Sequence, residues 1–176
     1  MTASQRCAAA IARAAGLLLL VTLALPAAAA PVKVAVFDIE LYDTSLEGEL
    51  RGVDPAETAR LQQLSALLQE TVAKREDIVW IDIAPLRERL AAMPALYSCN
   101  GCETRFAAEL GAERTVSGFV SKVSTLILYI TLSVRDTASG RLLEQASVSI
   151  RGNTDESWQH GLQSLLKRQI FIVGQK

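Results

Sequence analysis

The first thirty residues have the pattern of a cleavable export signal, and this pattern limits what the rest of the chain can fold into. Arg6 and Arg13 precede an apolar run at residues 16–25, and no acidic residue accompanies them. Alanines follow the run, so we expect signal peptidase to cut after Ala29. The apolar run is shorter than the roughly 20 residues that a membrane-spanning helix needs. The mature chain is therefore expected in the periplasm, without stable membrane insertion, where thiols can oxidise.

The part of the chain behind the signal has the size of one domain and can bury a core of its own. The full sequence has 18 basic and 19 acidic residues, and loss of Arg6 and Arg13 would leave 16 and 19, a net charge of −3. A mildly acidic chain without a basic cluster argues against nucleic acid as a partner. We predict a signal peptide at residues 1–29 and a single α/β domain at residues 30–176.

Apolar periodicity in the mature chain alternates between strand and helix patterns, in the predicted order β-α-β-α-α-β-β-β-α. A near-continuous apolar strand at residues 32–41 favours burial on both of its faces. Asp54, Pro55 and Glu57 predict the start of a long helix with a capping box. The last three strands alternate polar and apolar residues, which indicates an antiparallel meander with one wet face. The fold class is α/β (α+β), a single mixed sheet of about five strands with helices mainly on one face.

Four local assignments complete this prediction. Residues 42–53 are polar and contain two glycines, so they are predicted to be a loop. The sequence DTASG predicts a turn at residues 136–140. The predicted buried face of the strand after this turn consists of Leu142, Ala146, Val148 and Ile150. The predicted buried face of the last helix consists of Trp158, Leu162, Leu165 and Leu166.

The cysteine pair in Cys99-Asn100-Gly101-Cys102 is the motif most able to carry chemistry, because Cys7 leaves with the signal. In an oxidising compartment, such a close pair favours a structural disulfide that holds the loop between two short helices. A thiol–disulfide redox centre is an alternative, since the helix expected after Cys102 would lower a nearby thiol pKa. A metal site is a further alternative, although zinc needs more ligands than this pair supplies. We predict no metal and no cofactor.

Acidic side chains at strand ends form a second candidate group. Asp38 and Glu40 lie at the end of the first predicted strand, and Asp82 lies in the second. Strand ends in open α/β sheets often carry functional carboxylates, so this acidic cluster is a candidate cation or small-ligand site. The alternative is that these carboxylates are simply solvated.

A polar run before the last predicted helix is the third candidate. Arg151, Asn153, Asp155 and Trp158 are predicted as an interaction loop, with a strand-to-helix turn and a core tryptophan as the alternative. The single histidine, His160, is expected to be an exposed helix residue. No serine has a histidine and a carboxylate at a recognisable spacing, so no catalytic residue is predicted.

Several sequence runs resemble a family of uncharacterised exported bacterial proteins, namely VAVFDIELYDTS, YSCNGCE and SIRGNTDESW. Members of such families sometimes occur beside periplasmic quinoprotein alcohol dehydrogenases, so the resemblance implies an association with such a system. The element order is also similar to the amino-terminal domain of the Tol–Pal translocation protein, which shares an AVFDF-like first strand. That similarity implies a non-catalytic adaptor or assembly role.

These observations lead to one functional prediction and two alternatives. The chain is predicted to be a periplasmic, non-enzymatic accessory or adaptor domain that binds another envelope protein. The alternatives are a thiol–disulfide redox protein that uses Cys99 and Cys102, and a small-ligand or cation binder that uses the acidic cluster.

Overall fold

The computed structural model describes residues 30–167, so the predicted signal peptide at residues 1–29 lies outside the described residues. The described residues form six strands: β1 (Val32–Val36), β2 (Glu40–Asp43), β3 (Ile78–Ile81), β4 (Arg114–Ser124), β5 (Ile127–Asp136) and β6 (Leu142–Ile150). They also form five α-helices: α1 (Leu46–Arg51), α2 (Pro55–Ala73), α3 (Arg87–Ala91), α4 (Glu103–Glu109) and α5 (Asp155–Lys167). Within this part of the chain, no helix combines the length and apolar character that a membrane crossing requires.

The strands form one mixed sheet in the order β3-β1-β4-β5-β6, with β2 beside β4. β1 pairs in parallel with both β3 and β4, so the segment from β1 through α2 to β3 is a crossover connection. β4, β5 and β6 are antiparallel neighbours. The structure confirms the predicted α/β class, the mixed sheet and the meander of the last three strands.

The predicted first strand is divided into β1 and β2. β2 pairs with β4 further along, opposite residues 119–122. Between the two strands, the backbone N–H of Ile39 donates to Oγ of Ser65 on α2 at 2.8 Å, so this hydrogen bond leads to a helix and not to a strand. The apolar run continues through the break, and its periodicity alone therefore does not reveal two strands.

Two local predictions are wrong. Residues 42–53, predicted as a loop, contain the end of β2 and the helix α1, which the hydroxyl of Ser45 caps. Leu142, predicted on the buried face of β6, is 40% exposed. The pairing between β5 and β6 shifts after Val134, which makes Leu143 an extra residue. Leu143 packs against the core in place of its neighbour.

Two apolar clusters lie on opposite faces of the sheet. The larger cluster lies between the sheet and helices α2 and α5, and it includes Val34, Val36 and Trp158. The smaller cluster includes Ala35 and Phe37 together with side chains of α3 and α4. β1 is therefore buried on both faces, as its near-continuous apolar sequence predicts.

Helix α5 lies close against β5 and β6 because Gly161 has no side chain. A Cβ atom at this position would clash with Cγ2 of Ile150 and would lie 3.0 Å from Cδ1 of Ile130. The predicted apolar face of the helix is confirmed, with Trp158, Leu162 and Leu165 buried and Leu166 partly buried.

The short helices α3 and α4 leave much of the second face of the sheet uncovered. We call this uncovered area the open face; its side chains are Ser117, Phe119, Ser121, Tyr129, Thr131, Ser133, Gln145, Ser147 and Ser149. Thr131 donates to Ser147 at 3.1 Å, and Gln145 donates to Ser133 at 3.0 Å. The wet side predicted for the meander is present.

Candidate functional site

The cysteine loop crosses one end of the open face. It begins with a 3₁₀ turn at Leu96–Ser98 and ends at Cys102, where α4 follows, and Cys99 and Cys102 are joined as a disulfide with Cα atoms 5.6 Å apart. Asn100 and Gly101 have φ angles of 44° and 102°. Asparagine and glycine are the residues that tolerate this left-handed conformation, which explains the sequence between the two cysteines.

Three polar contacts hold the cysteine loop on the sheet. The carboxylate of Glu40 accepts hydrogen bonds from the backbone N–H groups of Leu96 at 2.9 Å and Tyr97 at 3.1 Å. Arg135 on β5 donates to Oδ1 of Asn100 at 2.8 Å. The loop is therefore fixed by β2 and β5 in addition to its disulfide.

A buried charge pair supports the loop from below. Glu103, which is 2% exposed, lies 3.4 Å from Nε of Arg135 and accepts a hydrogen bond from Ser117 at 3.3 Å. Arg135 also donates to the backbone oxygen of Gly140 at 3.1 Å. Both charges are compensated by protein groups, so the loop rests on a neutral, ordered platform.

A groove of about 280 Å³ opens between the cysteine loop and the open face. It is lined by Leu96, Tyr97, Ser98, Asn100, Gly101, Glu103, Ser117, Gly118, Phe119, Ser133, Arg135 and Gln145. Two of its lining residues are aromatic, Tyr97 and Phe119, with ring centres 5.7 Å apart, and the ring of Tyr42 lies next to them, 5.1 Å from that of Tyr97. The groove thus combines an aromatic wall with amide, hydroxyl and paired charged groups.

A second polar centre is buried near the other end of β4. Nζ of Lys122, a residue that is 1% exposed, lies 2.6 Å from Glu57, 3.2 Å from Asp43 and 3.5 Å from Glu47. Glu57 is the residue that the sequence assigns to a capping box. That prediction is wrong, because its side chain turns inward to the lysine while the Asp54 side chain caps the helix by itself.

The pKa values of this centre follow from its contacts. Burial opposes the charged form of Lys122, but hydrogen bonds to Glu57 and Asp43 outweigh it and raise the pKa of the lysine. Burial also opposes ionisation of Asp43, but hydrogen bonds from Ser45 and Lys122 lower the pKa of that carboxyl group. All of these contacts favour the ionised state at neutral pH.

The predicted interaction loop extends this centre. Asn153 donates to the carboxylate of Glu57 and accepts from Arg60 at 3.2 Å, and Asp155 pairs with Arg60 at 2.7 Å. Trp158 is fully buried, and Arg151 is exposed. The structure thus places Asn153 and Asp155 against α2 and leaves Arg151 facing solvent; a role of this loop in binding stays a prediction.

Large aliphatic side chains cover the outside of the same end. α1 has no buried residue, and Leu46, Leu50 and Val53 are 68%, 74% and 77% exposed. The hairpin between β4 and β5 adds Val123, Leu126 and Ile127, which are also exposed. These six residues are called the apolar end. A cleft of about 440 Å³ between β2 and α1 adjoins it.

The residues of the acidic cluster have separate partners. Asp38 accepts from Gln69 at 2.9 Å, Glu40 holds the cysteine loop, and Asp82 accepts from the backbone N–H of Ala84 at 2.9 Å. Among the described residues, the group with metal-ligand geometry is Cys99, Cys102 and Glu103. Its sulfur atoms form the disulfide and its carboxylate pairs with Arg135. A cation site at the acidic cluster stays a prediction.

Comparison with known proteins gives a family and a fold. Residues 32–170 match the model of the family DUF3280, described as a protein of unknown function (DUF2380). A comparison with curated proteins found no match. PelC from Paraburkholderia phytofirmans, solved as a dodecamer, is 14% identical with a TM-score of 0.51, over 84% of this chain and 94% of PelC.

Two further solved structures are similar at a lower level. The lipoprotein GNA1162 from Neisseria meningitidis is 18% identical with a TM-score of 0.49, over 80% of this chain and 96% of that chain. TolB from Acinetobacter baumannii is 11% identical with a TM-score of 0.45, over 82% of this chain and 29% of TolB. The family match confirms the predicted family of uncharacterised proteins, whereas the similarity to the amino-terminal domain of the Tol–Pal translocation protein stays a prediction.

Proposed function

We propose that this chain, which belongs to the DUF3280 family, is a non-enzymatic accessory domain of the bacterial envelope that binds another envelope protein through its apolar end. The observation that carries the proposal is the exposure of six large aliphatic side chains at that end. Large apolar side chains exposed at one end of a domain mark contact sites for proteins, because water is a poor environment for them.

The interior beneath the apolar end supports the proposal. α1 has no buried residue, yet Glu47 and the preceding Asp43 tie it to the buried Lys122. Polar contacts thus position the helix while its leucines stay outside. This arrangement favours a surface that is formed before a partner arrives, which lowers the ordering cost of binding.

Two further observations concern the setting of this function. The predicted export signal supports a location in the envelope. PelC, whose fold the chain shares, was solved as a dodecamer, so protein contact is a use that this fold has elsewhere. The predicted association with a quinoprotein dehydrogenase system stays a prediction.

The test compares three forms of the mature protein as bait in a periplasmic extract of the native bacterium. We expect the wild type and Val79→Lys to retain the same partner, and Leu50→Lys to lose it. Val79 is the matched control because it is 41% exposed and lies on β3, outside the apolar end. The retained protein is then purified, and its binding to each of the three forms is measured again. The proposal is wrong if all three baits retain the same proteins or if none retains any.

A thiol–disulfide redox protein is the second candidate, and one observation favours it. Cys99 and Cys102 are half-buried and not enclosed in the core, so a second protein or a small molecule could approach the disulfide. A reduction potential close to that of known thiol oxidoreductases would support this function. A disulfide that resists reduction until the fold unfolds would exclude it.

A further inference from the structure

We infer that the groove between the cysteine loop and the open face binds a neutral saccharide chain. This site is separate from the apolar end, and its ligand is of a different class from the proposed protein partner. The inference rests on three features that occur together in the lining of the groove: aromatic side chains, uncharged hydrogen-bonding groups, and a charge pair that leaves the groove neutral.

The aromatic wall provides the apolar part of such a site. Tyr42 and Tyr97 are 43% and 37% exposed, and Phe119 continues the row on β4. When a flat ligand face covers exposed rings, their apolar surface is removed from water, which favours binding. The C–H faces of pyranose rings are flat and apolar, whereas their edges carry hydroxyl groups, so they match this combination.

The lining of the groove also supplies matching polar groups. Asn100 and Gln145 carry amides that both donate and accept, and Ser117 and Ser133 carry hydroxyls that do the same. Sugar hydroxyls also donate and accept, so each can pair with either kind of group. Each of these groups already has one partner within the protein, and an apolar ligand would leave their remaining hydrogen-bonding capacity unused once water is excluded.

The charged groups of the groove disfavour an ionic ligand. Glu103 is buried beside Arg135, and Arg135 donates to Asn100 and Gly140 as well. Each charge is thus compensated within the protein, and no surplus charge faces the groove from this pair. An anion would have to compete with Glu103 for the guanidinium group, and a cation would have to compete with Arg135 for the carboxylate.

The groove is held in shape by the contacts that fix the cysteine loop. Glu40, the disulfide and Asn100 hold the loop at three points, so a ligand would order few groups on binding. Its volume of about 280 Å³ lies just below the roughly 300 Å³ at which small-molecule pockets begin. A chain that passes through the groove with one sugar unit inside it fits this size better than a large enclosed ligand.

The experiment is an NMR titration of the mature protein with three neutral probes: maltohexaose, cellohexaose and chitohexaose. We expect at least one of them to shift the amide signals of Tyr97, Asn100 and Gln145. Tyr97→Ala and, separately, Gln145→Ala should each weaken this binding about ten-fold or more. Tyr129→Ala is the matched control because Tyr129 is a 40% exposed aromatic residue on the open face but outside the groove.

Several outcomes would overturn the inference. One is that none of the three saccharides shifts a groove signal at about 10 mM, a concentration that reveals even weak binding. Another is that Tyr97→Ala and Gln145→Ala bind as well as the wild type. A third is that tri-galacturonate or hexaglycine binds while the neutral saccharides do not, which would make the groove an anion or peptide site. Gln145 is exposed, so its replacement keeps the test valid if Tyr97→Ala does not fold.

Discussion

The cysteine loop and the apolar end use charge in opposite ways. At the cysteine loop, Glu40 and Arg135 hold an exposed segment on the sheet, and the surface that results is polar and aromatic. At the apolar end, charges are buried around Lys122 and the surface above them is aliphatic. The first arrangement shapes a groove, whereas the second fixes a short helix whose side chains remain available. Charged side chains thus position surfaces at both places, and the chemistry of the surface is set by other residues.

Replacement of Lys122 should have the largest effect. Lys122→Met leaves the carboxylate of Glu57 buried without its partner, so we expect a loss of about 3–5 kcal/mol in the free energy of unfolding. Urea denaturation measures this loss. Lys74→Met is the control, because the pair of Lys74 with Glu70 is exposed and should change stability by no more than about 0.5 kcal/mol.

A double variant sharpens this test. Lys122→Met combined with Glu57→Leu removes both buried charges, and it should be clearly more stable than Lys122→Met alone. If the single variant is no less stable than the Lys74→Met control, the buried charges do not hold the apolar end.

Removal of the disulfide should have a smaller effect. In the chain-entropy account a loop this short contributes about 2 kcal/mol, so Cys99→Ser with Cys102→Ser should lose roughly that amount. Unfolding of the wild type with and without dithiothreitol measures the same quantity, and the double variant should not respond to the reductant. In the double variant, the NMR chemical shifts of residues that line the groove should change, whereas those of residues around Lys122 should stay the same. Equal stability of both forms would show that Glu40 and Arg135 hold the loop without the disulfide.

Part of the pH dependence of stability should come from the charged centre around Lys122, beneath the apolar end. The pKa of Asp43 lies below its ordinary value of 3.8, so its stabilisation is present above pH 3.8 and is lost as the pH falls through the lower folded value. The pKa of Lys122 lies above 10.5, so its stabilisation is present below pH 10.5 and is lost as the pH rises through the higher folded value.

Unfolding measured across the pH range checks these two limits. The alkaline loss of stability should be smaller in Lys122→Met, and the acid loss should be smaller in Asp43→Asn. Identical profiles for the wild type and both variants would contradict the role of these groups. Double replacement of the cysteines serves as the control, since it removes no group that titrates in the folded disulfide form.

Local sequence patterns predict the parts of this fold that depend on periodicity or capping. The meander follows from strict alternation in β5, and the start of α2 follows from Asp54 and Pro55. The division between β1 and β2 is not visible in the sequence, because Ile39 remains apolar while its N–H bonds to a helix. The prediction for Leu142 is wrong for a similar reason, since the shift in pairing between β5 and β6 depends on the partner strand.

The candidate sites depend on contacts between distant parts of the chain. The two cysteines are so close in the sequence that their disulfide can be predicted. Glu40 lies far from them in the sequence, so its role as the anchor of their loop cannot be predicted. One feature of the sequence points to Lys122, because this residue shares the buried face of β4 with Val116 and Val120. A lysine at such a position requires a buried partner, but only the folded chain identifies Glu57.

The smallest effects on stability should come from the two outer surfaces, and these separate binding from folding. Leu50→Lys replaces a side chain that is 74% exposed, so the free energy of unfolding should change by about 0.5 kcal/mol or less. Tyr97→Ala also removes two ring contacts, so it should cost about 1 kcal/mol more. Leu50→Lys should lose the protein partner and keep saccharide binding, while Tyr97→Ala should do the reverse. Urea denaturation, the bait experiment and the NMR titration of both variants check this reciprocity. If either variant loses both activities while it remains folded, the apolar end and the groove belong to one site, because two independent surfaces would not respond together.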